Sequence, residues 1–543
     1  MNLREKPFYL CDEQIDWVKN TLCAMTEDEK LHQLFCVLGD AVPPAKLKTL
    51  VRQSIGGILF RPVRTAAEIA ADYDVYDAMA RYPLFHAANL EEGGAGGASD
   101  GTYFANQLQI GASTDPEDVK RFAMSCAAEG CAAKINWTFS PVSDIDMNFR
   151  NPITNMRTYG SDTETVRRCA AAYVTTLQES GMAACAKHFP GDGVDFRDQH
   201  LHPTYNSLSA AQWRESYGSI YRSMIEAGLL SIMVGHICQP AMEAEHTPGL
   251  QPEDAMPATL SKGLLTGVLR EELGFNGLIT TDATIMGGYT MAMERSRAIP
   301  PTIAAGCDMI VFTTDIDEDI SYMRQGLRNG ILTQQRLDEA VTRILALKAK
   351  VCGRVKAPKT AVADWQRQCA DHAVTLVKNK DDILPVSTER FPRIRLAVMG
   401  SETCWDGSVR ELFTKSLKKR GFSVEQYVPF DDDLHGCAHL PKDRLTLTIL
   451  NYPAASNQTT VRVGWCPKHA LEIPRFVHEE TSIFVSLANP YHLQDVPRAR
   501  TFINAYTASQ AVIEAVVAKI CGESEFVGRN PVDPFCGLFD TKL

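Results

Sequence analysis

The sequence has no apolar run long enough to cross a membrane. Stretches such as Leu229–Val234 fall far short of the roughly 18–20 residues a helical span needs. It has no Lys/Arg-rich block either. Lys and Arg number 55 against 66 Asp and Glu, a formal charge of −11, so neither nucleic acid nor an anionic membrane is an expected partner. The 16 cysteines include no C-x-x-C pair, which removes zinc-ribbon and thioredoxin readings. Cys36, Cys185 and Cys307 lie in apolar runs, where a free thiol behaves as a small hydrophobe. There is no Walker A motif and no G-x-G-x-x-G after a first strand, so nucleotide use is not indicated and no cofactor is expected. Met1–Pro7 carries no apolar signal core and no lipid-attachment cysteine, and a reducing, cytoplasmic setting is expected.

What is present is a chain of 543 residues, 45% hydrophobic and 22% charged, with room for more than one globular domain. Eight short apolar runs read as strands: Leu34–Leu38, Gly56–Phe60, Leu84–Asn89, Ile135–Ser140, Met182–Phe189, Leu229–Ile237, Gly277–Asp282 and Met309–Thr313. They do not alternate polar with apolar, as strands buried on both faces should not. Helical patterns lie between them at Ala66–Ala80, Pro116–Ala132, Asp162–Ser180, Ala210–Ala227, Lys262–Leu273 and Ile316–Arg328, with a closing helix at Gln334–Val351. Eight such units predict a (β/α)8 barrel over residues 1–352, with a doubly wound open sheet as the alternative. A linker is expected over 353–372, where Gly353, Pro358 and several basic residues interrupt the pattern. Residues 373–543 read as a smaller α/β sandwich. Its expected strands are Ile394–Met399, Ser423–Val428, Leu445–Leu450, Ser482–Ala488 and Thr501–Tyr506, with helices at Val409–Arg420 and Ser509–Cys521.

A parallel barrel carries its chemistry at the C-terminal ends of its strands. Strand three ends in Asn89, with Glu91 just beyond; strand four runs on towards Asp144; strand five ends in Lys187-His188; strand six ends in His236; strand seven ends in Asp282. Singly, each has a structural reading, since such an Asp often caps a helix and a lone His is often a satisfied core residue. Several ionisable groups on one rim are harder to explain that way, because charges are costly to bury unless paired or used.

The loop after strand five is the densest stretch, holding His188, His200 and His202 with Asp192, Asp195 and Asp198. One reading is a metal site formed by His188, Asp192, His200 and His202. Against it stand the missing H-x-H pair on an early strand and the origin of all four groups in one loop. The other reading pairs Asp198 with His200, two residues apart and on one face if the segment is extended. A carboxylate beside an imidazole fixes its tautomer and makes it a usable acid and base near neutral pH. Gly191 and Gly193 give this loop the freedom to close over a substrate.

The run Lys187–Gly193 followed by Asp198-Gln199-His200 resembles the K-H-F-P-G-x-G … D-x-H signature of glycoside hydrolase family 3, in its β-N-acetylglucosaminidase branch. Pro257–Ser261 and Leu269–Asp282 are similar to the family's second signature. Met25–Lys30, Asn136–Asp144 and Arg157–Asp162 match further pieces, so the resemblance covers about residues 20–350. It implies that Asp282 is the nucleophile and that His200, oriented by Asp198, is the acid/base in place of a second carboxyl group. It also implies that Lys187, His188 and Arg157 hold sugar hydroxyls. The family's Asp before E-G-G is absent here, and Asn89 or Glu91 would take over its contact. Asp192 stands where many relatives carry His or Arg; it and His236 complete the expected substrate-facing set.

The resemblance implies a retaining exo-β-N-acetylglucosaminidase acting on muropeptides or chito-oligosaccharides, as in peptidoglycan recycling, and working as a monomer or homodimer. Transfer of the sugar to phosphate or another sugar on the same site is the first alternative, and a metal-dependent barrel hydrolase the second.

Overall fold

Eight short strands close into a ring in this computed structural model, which describes residues 2–427, 442–474 and 477–543. They are β1 (Phe35–Leu38), β2 (Gly57–Leu59), β3 (Phe85–Ala88), β4 (Trp137–Thr138), β5 (Ala183–Phe189), β6 (Ser231–Val234), β7 (Leu278–Ala283) and β8 (Met309–Val311). Each pairs in parallel with its sequence neighbour, and β8 returns to β1 with Ile310 opposite Phe35. This is the expected (β/α)8 barrel and not an open sheet. The β2 to β6 residues are buried throughout, which is why their sequences show no alternation. Helices start where the sequence supplies caps: Thr26 and Thr65 form reciprocal boxes with Glu29 and Glu68, and Thr333 accepts from the Arg336 N–H.

Several element boundaries differ from expectation. The single helix expected over Ala210–Ala227 is two, Ala210–Glu215 and Tyr217–Glu226. Ser216 leaves the helical region between them and bonds its Oγ back to the Gln212 carbonyl at 2.6 Å, a local competitor for the helix ladder. The segment Gly263–Glu272 winds as a π-helix, its end marked by the Leu273 N–H donating to Val268 O. Strand β8 stops at Val311 because Phe312 takes a positive φ of 51°.

The chain forms two compact units. The first holds 1–104, 119–151 and 163–360; the second holds 105–118, 152–162 and 361–543. Two segments from within the barrel's span therefore group with the second unit. In the stretch 353–372, read as a linker, residues Val362–Ala373 are helical and belong to the second unit. That unit contains a six-stranded sheet of β9 (Thr375–Asn379), β10 (Arg393–Gly400), β11 (Ser423–Gln426), β12 (Arg444–Asn451), β13 (Ser482–Ser486) and β14 (Thr501–Asn504). Its order is β9-β14-β13-β12-β10-β11, parallel except where β9 joins β14. The edge strand β9 was not expected. The end of the expected strand Ser423–Val428 lies outside the described residues. The expected helices are present at Val409–Lys419 and Gln510–Ile520. Among the described residues no helix is long and apolar enough to cross a membrane.

Candidate active site

The C-terminal ends of β3, β4, β5 and β7 bring ionisable groups to one rim of the barrel. Lys187 and His188 are adjacent on β5, and both are buried. Lys187 Nζ donates to Asn89 Oδ1 at 3.1 Å and pairs with Glu91 Oε1 at 2.5 Å. Asn89 and Glu91 thus both reach the same ammonium group, so the sequence's choice between them is not a choice of one.

His188 lies between two carboxylates. Its Nδ1 bonds Asp144 Oδ2 at 2.7 Å, and its Nε2 stands 3.7 Å from Asp282 Oδ2. Asp144 is buried, and its other oxygen accepts the backbone N–H groups of His188 and Asp192 at 3.1 and 2.8 Å. The sequence reading gave Asp144 no task. The available signal was its place at the end of the Asn136–Asp144 run, one strand from Lys187-His188. Fixing the Nδ1–H on Asp144 directs the other ring nitrogen to Asp282.

Asp282 ends β7. Its Oδ1 accepts the Ala283 N–H at 2.8 Å, while its Oδ2 is buried with no hydrogen-bond partner. Burial works against its ionisation, but His188, His236, His200 and Lys187 outweigh that and hold the carboxyl below the ordinary Asp value. The result is an ionised carboxylate with one unengaged oxygen in a positively biased setting.

Asp198 and His200 do meet, although not in the extended segment expected. Asp198 is buried and starts a tight turn, its carbonyl accepting from Leu201 and His202 N–H groups. Its Oδ1 accepts both the His200 backbone N–H at 2.9 Å and the ring Nδ1 at 2.7 Å. One carboxylate oxygen therefore caps the turn and orients the imidazole, leaving Nε2 as the outward nitrogen of a ring whose side chain is 22% exposed.

Two expected substrate contacts are turned inward. Asp192 is buried, accepting from Asn151 Nδ2 (3.1 Å), Gly193 N (2.7 Å) and Gln199 Nε2 (3.1 Å). Burial and the nearby Asp144 carboxylate push it up to about 8. His236 is fully buried, with Nδ1 on Thr259 Oγ1 (3.1 Å) and Nε2 on the Ala283 carbonyl (3.0 Å). Burial lowers its affinity for a second proton, and its bond to the Ala283 carbonyl braces the strand that carries Asp282. Arg157 falls in the second unit, half-buried, its backbone N–H donating to Thr154 O. Among the described residues the group with metal-ligand spacing is Asp115, Asp118 and His372, in the second unit, and not the four residues of the β5 loop.

The model of the glycosyl hydrolase family 3 N-terminal domain matches residues 26–347. A β-N-acetylglucosaminidase/β-glucosidase of Cellulomonas fimi is 41% identical over the full length of both chains. β-Hexosaminidase A of Pseudoalteromonas piscicida is 28% identical over 78% of this chain and 75% of its own. Among solved structures, a β-glucoside phosphorylase, BglX, superposes with a TM-score of 0.93 at 40% identity, covering 99% of each chain. A β-N-acetylglucosaminidase from Paenibacillus sp. str. FPU-7 shares the fold, with a TM-score of 0.78 at 22% identity over 94% of this chain and 99% of its own. With the matched domain spanning more than half its residues and a relative alike from end to end, this chain belongs to glycosyl hydrolase family 3.

Proposed function

We propose that the chain removes terminal β-linked N-acetylglucosamine from glycosides in two steps, through a covalent sugar ester on Asp282. The observation that carries this reading is the pair of complementary groups on the rim: an ionised Asp282 with an unengaged Oδ2, and the Asp198–His200 dyad with an open Nε2. In the first step Asp282 Oδ2 bonds to the anomeric carbon as the carbon–oxygen bond to the aglycone breaks, and His200 Nε2 gives its proton to the departing oxygen. In the second step the neutral imidazole takes a proton from the incoming acceptor, which displaces Asp282. Two displacements return the sugar with its β configuration. Lys187, His188, Asn89 and Glu91 hold its hydroxyls. Asp198 keeps the imidazole in one tautomer through both steps.

A second reading concerns the acceptor. After the first step the base is a neutral imidazole and not a carboxylate, so a phosphate anion meets no repulsion from it. A structure 40% identical along the whole chain is named a phosphorylase. On this reading phosphate replaces water and the product is the sugar 1-phosphate.

Aryl β-glycosides of N-acetylglucosamine and of glucose, assayed with and without inorganic phosphate, separate these outcomes. Faster turnover of the N-acetylglucosaminide supports the sugar assignment, and faster turnover of the glucoside overturns it. Free sugar in the presence of phosphate supports hydrolysis, and sugar 1-phosphate supports the second reading.

A further inference from the structure

Between Asp198 and His200 stands a residue the reaction itself does not need. Gln199 is fully buried, and its side chain is bonded at both ends. Its Oε1 accepts the His236 backbone N–H at 2.8 Å, just beyond β6, and its Nε2 donates to Asp192 Oδ2 at 3.1 Å. The backbone of the same turn is bonded on its other side to the loop after β7: the Gly287 N–H donates to His200 O at 2.8 Å and the Gly288 N–H to Gln199 O at 3.0 Å. Side chains are excluded from those two positions. A Cβ on Gly287 would lie 2.3 Å from Leu201 O, and one on Gly288 would lie 2.7 Å from the His236 Cβ and 2.8 Å from Gln199 O. The turn expected to be a mobile flap is thus seated between β6 and the β7 loop, the strand that carries Asp282.

We propose that Gln199 is a positioning residue which, with Gly287 and Gly288, holds the turn bearing His200 in place so that the proton-transfer group is preset before substrate arrives. The inference rests on the assignment of His200 as acid and base. A rigidly held donor keeps its distance to the leaving oxygen without spending binding energy on loop closure. Gln199 has no bond to Asp282, so its loss should act chiefly through the turn that carries His200.

The test compares two leaving groups. Gln199→Leu should lower kcat by roughly 10–100-fold for a glycoside with a basic, alcohol-like leaving group, a share of the 10²–10⁴-fold that proton transfer contributes. The first step with a dinitrophenyl glycoside, which leaves unassisted, should be nearly unchanged, and KM should hold for both. Gly287→Ala pushes the same turn from the opposite side without emptying a buried bond, so it answers the question if Gln199→Leu does not fold. It should give the same split between leaving groups. Equal losses on both leaving groups, or no loss in a folded variant, would overturn the proposal. His200→Ala is the reference: if it shows no split, the acid/base assignment fails; if it shows the split and the Gln199 and Gly287 variants do not, only the positioning role fails.

Discussion

Two aspartates on neighbouring strands, one buried and one partly buried, mark the two ends of the barrel, and their surroundings are opposite. Asp308, immediately before β8, lies at the N-terminal end. Its carboxylate meets Arg270 and Arg336 at 2.7 Å and Arg343 at 3.4 Å, and accepts the Ile279 N–H at 3.0 Å. Asp282, at the C-terminal end of β7, has one bonded oxygen and one without a hydrogen-bond partner, among histidines and a lysine. Both are held below the ordinary carboxyl range against the cost of burial. The difference lies in what is left over. Three guanidinium groups on Asp308 leave its charge nothing further to do, whereas Asp282 keeps an unengaged charged oxygen, the requirement for a nucleophile. Burial and an altered pKa do not separate a structural carboxylate from a reactive one; the count of unengaged lone pairs does.

The widest gap between the two ends should appear on removing the charge at Asp282. Asp282→Asn is expected to lower turnover by roughly 10⁴–10⁶-fold, with the thermal unfolding midpoint nearly unchanged. A parent-like rate would put the nucleophile elsewhere. Next, His200→Ala should cost about 10²–10⁴-fold on a disaccharide and far less on a dinitrophenyl glycoside. Azide, which needs no base, should restore turnover as the β-glycosyl azide. The opposite pattern belongs to Asp308. Asp308→Ala leaves three partly buried guanidinium groups without their shared carboxylate and should cost about 3–5 kcal/mol in urea unfolding, while the folded fraction keeps its rate per molecule. A smaller stability loss would mean that the arginines find other partners.

The smallest effects concern pH. Asp282 has a depressed pKa in the folded chain, so its ionised form persists below the ordinary value of about 4. The acid limb of kcat/KM assigned to it should therefore lie below pH 4, and the stability it contributes as an ion is lost only as pH falls through that lower value. At the other end, burial pushes Lys348 down to about 7 beside Gln33. The unfolded chain holds that proton up to about 10.5, so folding stability should rise with pH between the two values. Lys348→Met should flatten that rise and leave activity unchanged.

The fold was legible because it depends on a local signal repeated eight times: each strand is a short, uniformly apolar run that must be buried on both faces. That Lys187, His188 and Asp282 meet on one rim was legible for the same reason, since each sits on a strand or at its tip. The residues missed are those whose work is done across the chain. Asp144 acts on His188 from the segment after β4, Gln199 joins β6 to the β5 loop, and Gly287 and Gly288 admit a turn nearly 90 residues earlier. Of these only Asp144 carried a local signal, its place at the end of the Asn136–Asp144 run. Asp192 and His236 looked like site residues because polar groups at strand tips usually face outward; closure of the loop over β6 turned both inward. The helix over Val362–Ala373 escaped because the Gly/Pro signal around 353–358 was extended into a stretch that does bury a face.

Trapping the glycosyl-enzyme tests the central claim most directly. The protein is incubated with an activated 2-fluoro β-glycoside, digested, and its peptides are weighed by mass spectrometry. The account predicts one added sugar on the peptide containing Asp282, formed in the parent and in His200→Ala but not in Asp282→Asn. A sugar found on any other carboxylate, or a label retained in Asp282→Asn, would contradict it.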